Sequence, residues 1–329
     1  MVRVLNHRLQ RAAAPAVRGW LCALQISETE INYSLGMGTQ PPYETGPVRA
    51  DAGAPPEILP PGTEYAPPPP RRRRPTWSIA PATYVLLGIN CAVFVAMVLA
   101  RVSPISPDPE QLLAHWGANN AGSVLYLGEW WRILTAMFVH VGIIHLATNM
   151  WCLWNLGLLA EPLMGSWGVV AVYILTGAAG NLLSTLRNFY LFHGEWLRYQ
   201  DVHVFPPGVG ASGAVFGIAG ALIILLKSHR LPVPIEEVRR LRRSVIYFAV
   251  INLVIGGGIN FGTSMFHSGI NIDNMAHLGG VGCGLLFATP MVPRLGAPRT
   301  LFDRRLRVAV IMTVTVLVLF GFYLAQLTR

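Results

Sequence analysis

Seven apolar runs, each near the ~20 residues a helix needs to cross a bilayer, recur along the second part of the chain. They are Ile79–Ala100, Ile143–Gly165, Trp167–Leu186, Val209–Leu226, Val245–Phe261, Met275–Val292 and Val308–Leu327. One stretch does not fit that spacing. From Ile133 to Gly165 the chain runs for 33 residues without a long polar break, too many for one span and too few for two. Its first part, after Trp130-Trp131-Arg132, reads as a segment lying within one leaflet. The pattern predicts an all-α polytopic membrane protein.

Composition agrees. Of 329 residues, 53% are hydrophobic and 12% charged, and the mean hydropathy is +0.46. Soluble domains carry about twice that share of charge, so an ordinary soluble enzyme is excluded, as is a wholly disordered chain. Residues 1–75 are the exception. They hold most of the proline, end in Pro67–Pro70 and Arg71–Arg74, and cannot build a core, so a disordered tail is expected. Met1–Ile26 carries four arginines and no acid. A transit peptide and a start at Met37 both stay open there. Cys22, Cys91, Cys152 and Cys283 are far apart and show neither metal-ligand spacing nor a disulfide framework. No metal or other cofactor is expected.

Charge sets the orientation. The net charge of +9 could suit nucleic acid, but the arginines flank apolar spans, so no nucleic-acid partner is expected. Nine lie in the tail, six Lys and Arg between Lys227 and Ser244, and five between Pro293 and Arg307. The other side holds five: Arg101, Arg132, Arg187, Arg198 and Arg329. Positive residues favour the cytoplasmic side, which puts the N-terminus in the cytoplasm. The second, fourth and sixth spans then all run inward.

Polar side chains inside spans are costly, and four fall near the starts of these three spans. His145 and Asn149 share one face of the second. Ser212 lies in Gly210-Ala211-Ser212-Gly213 on the fourth, and His277 on the sixth. With ~1.5 Å rise per residue they share a depth, at most about ten ångströms below the outer surface. A serine beside a histidine makes a nucleophile with its general base. His145 and Asn149 could donate hydrogen bonds to an oxyanion, as could the free N–H groups where Ser212 opens its helix. Gly213, Gly217 and Gly220 on one span and Gly280 and Gly284 on the other form small-residue faces that let backbones approach. A cationic imidazole cannot act as a base, so activity is expected to fall at acid pH. Asp273 is expected to cap the sixth span rather than complete a triad, and Glu161 to accept structural hydrogen bonds. His140, His193, His203 and His267 read as solvated loop residues.

These motifs resemble the rhomboid family of intramembrane serine proteases. The resemblance rests on Gly-x-Ser-Gly at Gly210–Gly213, Ala-His-x-x-Gly-x-x-x-Gly at Ala276–Gly284 and His-x-x-x-Asn at His145–Asn149. Gly117-Ala118-Asn119, Gly128-Glu129-Trp130-Trp131-Arg132 and Gly157-x-x-x-Glu161-x-x-x-Gly165 add to it, and it covers roughly Trp77 to Val292. It implies a rhomboid-like bundle of six transmembrane helices over residues 76–293, and residues 294–329 would add a basic loop and one C-terminal transmembrane helix. It implies Ser212 and His277 as a catalytic dyad and His145, Asn149 and Gly210 as substrate-stabilising. Trp131, Arg132, Glu161, Phe216, Gly280 and Gly284 would give structural support, with Trp131-Arg132 in a loop embedded in the outer leaflet. Where family members often carry tyrosine against the catalytic histidine, this chain has Phe216, which keeps the ring and loses the hydroxyl.

The activity so implied is endopeptidase cleavage of transmembrane or juxtamembrane segments of other membrane proteins, with a small residue at the cut. A catalytically silent relative that binds membrane-protein clients is the alternative, and silent members typically lack the serine or the histidine. A transporter would place its polar residues at the midplane of a repeat, and no repeat is visible. Twenty-four arginines against one lysine fit a GC-rich bacterial genome and hence a bacterial inner membrane.

Overall fold

The computed structural model describes residues 79–227, 234–266 (backbone only beyond 255), 272–292 and 298–328. The predicted disordered tail, Cys22 and His267 lie outside them. The described chain is mostly helical, with helices α1 Pro81–Leu99, α2 Pro109–Trp116, α3 Ala121–Leu125, α4 Arg132–Thr135, α5 Ile143–Tyr199, α6 Ser212–Leu225, α7 Ile235–Phe266, α8 Asn274–Ala288 and α9 Arg299–Gln326. No strand occurs among these residues; Asn119 and Gly208 form an isolated bridge.

Helix α5 spans 57 residues but is broken at Gly165, where φ is 73° and ψ 167°. Unbroken, it would put Tyr173 ~45 Å from Ile143. Met137, six residues ahead of Ile143, lies within ~22 Å of it even fully extended. Yet the Tyr173 hydroxyl donates to the Met137 carbonyl at 3.4 Å. The chain therefore doubles back at Gly165, and α5 is two antiparallel arms. Each arm is long enough to cross the bilayer, as are α1 and α9.

Helical structure outruns the apolar pattern. The second arm of α5 continues thirteen residues past Leu186, α7 begins ten before Val245, and α9 begins nine before Val308. Lipid ends where hydropathy ends, but helix propensity does not. Glu, Arg and Leu are good helix formers, and Glu236 pairs with Arg239 at 2.8 Å one turn along. Much of the expected basic loop from Lys227 to Ser244 is therefore helix. Between Ile133 and Gly142 the 33-residue anomaly becomes a short helix, a 3-10 turn over Ala136–Phe138 and a loop.

Two kinds of contact hold the bundle. The first is polar. The opening turn of α1 would leave its N–H groups unpaired, and Glu161 on α5 accepts from Ala82 N at 2.9 Å and Thr83 N at 2.8 Å. The same carboxylate takes the hydroxyls of Thr83 at 2.8 Å and Ser166 at 2.6 Å. The Asn90 amide donates to the buried Tyr173 hydroxyl at 2.9 Å, tying α1 to the second arm. The second kind is backbone against backbone. A Cβ added to Gly280 would run into the carbonyl of Gly213, and one added to Gly284 into that of Gly217. Helices α6 and α8 thus touch through a surface with no room for a methyl group.

Helix α9 lies against α3, α4 and the second arm of α5. Leu324 is buried with Val124, Leu125, Ile133, Leu182 and Phe189, and the Thr328 hydroxyl donates to the Leu125 carbonyl at 3.3 Å. Its remaining face, including Ile311, Val318, Leu319 and Phe322, is apolar and exposed, as a lipid-facing surface must be.

Gly284→Leu should force α6 and α8 apart, at ~1–3 kcal/mol for overpacking, and lower the thermal midpoint in detergent by roughly 2–10 °C. Gly282→Leu is the control, since nothing lies within 4 Å of a Cβ there. Equal midpoints for the two variants would refute the backbone-contact account.

Candidate active site

Ser212 is the first residue of α6, His145 the third of α5 and His277 the fourth of α8. All three lie within the first turn of their helices, about 6 Å of axial rise. The backbone crossing of α6 and α8 brings together the residues next to two of them. A Cβ on Gly213 would lie 3.4 Å from the Ala276 carbonyl and 3.8 Å from Gly180 Cα. One on Gly180 would lie 2.5 Å from that same carbonyl. Three backbones meet there, beside both Ser212 and His277.

The imidazole of His277 is buried and stacked on Phe216, with centroids 4.2 Å apart and planes 9° from parallel. Phe216 in turn meets Phe248 of α7 at 5.5 Å. The ring thus orients His277 without a hydroxyl. Among the described residues Ser212 and His277 share no hydrogen bond, and His277 Nδ1 is buried without a partner. Catalytic hydrogen bonds are often long in substrate-free sites and tighten on binding. Asp273 faces elsewhere. It accepts from Ala276 N at 3.0 Å, capping α8, and from the Ser184 hydroxyl of the second arm.

His145 lies over the turn that leads to Ser212. A Cβ on Gly210 would be 2.6 Å from His145 Cε1 and 2.9 Å from Nε2, and Gly210 has φ 121°. Only glycine meets both conditions, the ring's space and the left-handed backbone. Asn149 is buried, and its amide donates to the His145 carbonyl at 2.9 Å, leaving its second N–H for other use. Glu161, sixteen residues along the same arm from His145, is ~24 Å away by helical rise and takes no part in this cluster.

The segment that joins α2 to α5 braces the site. Arg132 is buried, its guanidinium bound to Glu129 at 2.6 Å and to the carbonyls of Leu113 at 2.6 Å and Ala118 at 3.1 Å. It also lies 4.6 Å from the centre of the half-exposed Trp131 ring. Asn119 then bridges to Gly208, with N···O distances of 2.8 and 2.7 Å, two residues before Gly210.

One expectation fails outright. His140 is not solvated; it is wholly buried, edge-on to His145 with centroids 5.1 Å apart. Its Nδ1 meets the Phe138 carbonyl at 3.3 Å, and its Nε2 accepts the Ala211 N–H at 3.4 Å. Burial, reinforced by the neighbouring His145 and opposed by the Phe138 bond, pushes its pKa down to about 3. The ring is therefore neutral at physiological pH. Its flanks, Val139 and Val141, inside the 33-residue apolar stretch, were the available signal. His193 is only partly exposed, bound to the Tyr126 hydroxyl at 2.7 Å, whereas His203 is exposed as expected. Asn119, Tyr173 and Ser184 were also not foreseen as supports, because their partners lie on other elements, 36 to 89 residues away.

The family described as Rhomboid domain matches residues 127–294. The chain is 32% identical over 231 residues to rhomboid protease GluP of Bacillus subtilis, covering 70% of this chain and 38% of that protein. It is 30% identical over 210 residues to rhomboid protease AarA of Providencia stuartii, covering 63% and 70% respectively. RHOMBOID-like protein 7 of Arabidopsis thaliana is 29% identical over 186 residues, half of its own length. The chain thus spans well under half of the Bacillus protein.

Gly210→Ala would strain the backbone by ~1–3 kcal/mol and displace His145. Labelling of Ser212 by a fluorophosphonate, followed by in-gel fluorescence, should slow about tenfold or more. Labelling at the wild-type rate would mean that the Gly210–His145 contact does not matter to the serine.

Proposed function

The chain belongs to the rhomboid family, and from that premise we propose that this integral membrane protein is an intramembrane serine endopeptidase with Ser212 as nucleophile and His277 as general base. The observation that carries the reading is the glycine-lined crossing of α6 and α8, which sets the start of the Ser212 helix beside a buried histidine oriented by Phe216. In this mechanism the Ser212 hydroxyl attacks the substrate carbonyl while His277 takes its proton. The resulting oxyanion is met by His145, by the free N–H of Asn149 and by the unpaired Ser212 N–H at the helix start. His277 then protonates the leaving amine, and water releases the acyl group by the reverse proton path.

The substrates in this reading are transmembrane or juxtamembrane segments of other membrane proteins. A helical peptide bond is shielded by its own hydrogen bonding, so a segment with glycine, proline or small residues near the cut unwinds more readily. The proposed architecture is six transmembrane helices over residues 76–293 with a seventh in 294–329. The proposed setting is a bacterial inner membrane with the N-terminus in the cytoplasm, from the arginine distribution. A client-binding relative without activity is the second reading. Two observations favour it: the dyad hydrogen bond is not formed among the described residues, and one Asn149 N–H is already used.

Cleavage of a single-span reporter in proteoliposomes separates the two. Wild type should cut, and Ser212→Ala and His277→Ala should each fall to background, a loss of at least ~10³-fold for members of one catalytic unit. Absence of both cutting and fluorophosphonate labelling in the wild type would favour the client-binding reading. Cutting that persists in Ser212→Ala would overturn the nucleophile assignment.

A further inference from the structure

Helix α6 begins without a cap of its own. Its N-cap residue is Ala211, with no side-chain hydrogen bond to the helix, and alanine is among the weakest residues at that position. The two N–H groups ahead of Ser212 are instead held from outside. Gly210 N donates to the Ala136 carbonyl at 2.9 Å, and Ala211 N donates to His140 Nε2 at 3.4 Å. A carbonyl only accepts, so the bond to Phe138 needs Nδ1 protonated, and that tautomer leaves Nε2 as the acceptor Ala211 requires. The ring is wholly buried and packs edge-on against His145. Resting on the protease reading above, we infer that His140 is a positioning residue for the reaction: a neutral imidazole that fixes the Gly210–Ala211 peptide ahead of the nucleophile and the ring of His145 beside it.

Two consequences follow from the geometry. Occupation of the Ala211 N–H by His140 leaves the next one, on Ser212, to face the reacting carbonyl. And with Nδ1 holding the proton and Nε2 occupied by the Ala211 N–H, His140 neither takes nor gives a proton in the cycle.

The test compares His140→Gln, which keeps an acceptor near the Nε2 position, with His140→Leu, which fills the space without one. Rates are measured on a reporter in proteoliposomes, with fluorophosphonate labelling of Ser212 and a thermal midpoint for each variant. The leucine variant should lose about 10- to 100-fold in kcat with KM changed less than about twofold, as a small misplacement of reacting groups does. The glutamine variant should recover most of that rate at a similar midpoint. His140→Asn, whose acceptor falls a methylene short of Ala211, serves the same comparison if the leucine variant does not fold. Leucine or asparagine reacting like wild type would overturn the assignment, as would glutamine falling as far as leucine. Failure of the wild type itself to cut or label would instead count against the protease reading, so the two failures are distinguishable.

Discussion

Everything at the candidate site depends on two helix backbones meeting without side chains between them. A methyl group on Gly280 would strike the Gly213 carbonyl, and one turn along the helix a methyl group on Gly284 would strike that of Gly217. In lipid no hydrophobic effect drives helices together, so packing and close polar contact must do so. That approach fixes the relative height and rotation of α6 and α8, and with them the starts of both helices. Ser212 and His277 stand at those starts. The Ala276 carbonyl, seated against Gly180 and Gly213, extends the same constraint to the second arm of α5.

The other constraint is that buried backbone groups in a bilayer need partners inside the protein. Glu161 provides them for the opening turn of α1, from near the end of the first arm of α5. Asp273 does so for α8. The irregular chain from α4 to α5 is buried in protein, and its backbone groups find partners there. Asn181 donates to the Ile133 carbonyl at 2.8 Å, the Tyr173 hydroxyl reaches the Met137 carbonyl, and Gly210 N–H reaches the Ala136 carbonyl. The segment that could not be one helix is therefore a shelf, stapled by Arg132 and Asn119, on which the turn before Ser212 rests.

Helix α9 joins this scheme at its C-terminal end. Its C-terminal turn packs Leu324 against Leu125 and Ile133, the same shelf that carries Arg132. The stay is remote from Ser212, yet it is continuous with the loop that holds residues 208–211. Through its contact with that shelf, α9 has a structural basis for affecting the rigidity of the site.

Much was legible along the chain, because lipid imposes a simple demand. An apolar run of about twenty residues must be a helix, and each of the seven runs overlaps a helix of the structure, of which α1, α5 and α9 are long and apolar enough to cross a bilayer. The glycine spacing and the serine and histidines embedded in it marked the candidate chemistry for the same reason: polar side chains there are too costly to be incidental. What hydropathy could not register is helix outside lipid, so the ends of α5, α7 and α9 were read short. Nor could it tell the buried His140 from a solvated one, since burial of a loop residue depends on what folds over it. The residues by themselves determined that the chain spans a membrane, where glycine replaces side chains and which groups could do chemistry. Only the tertiary structure decided which of those groups meet, because the contacts of Glu161 with α1, Arg132 with α2 and His140 with Ala211 join distant parts of the chain, and no local periodicity encodes them.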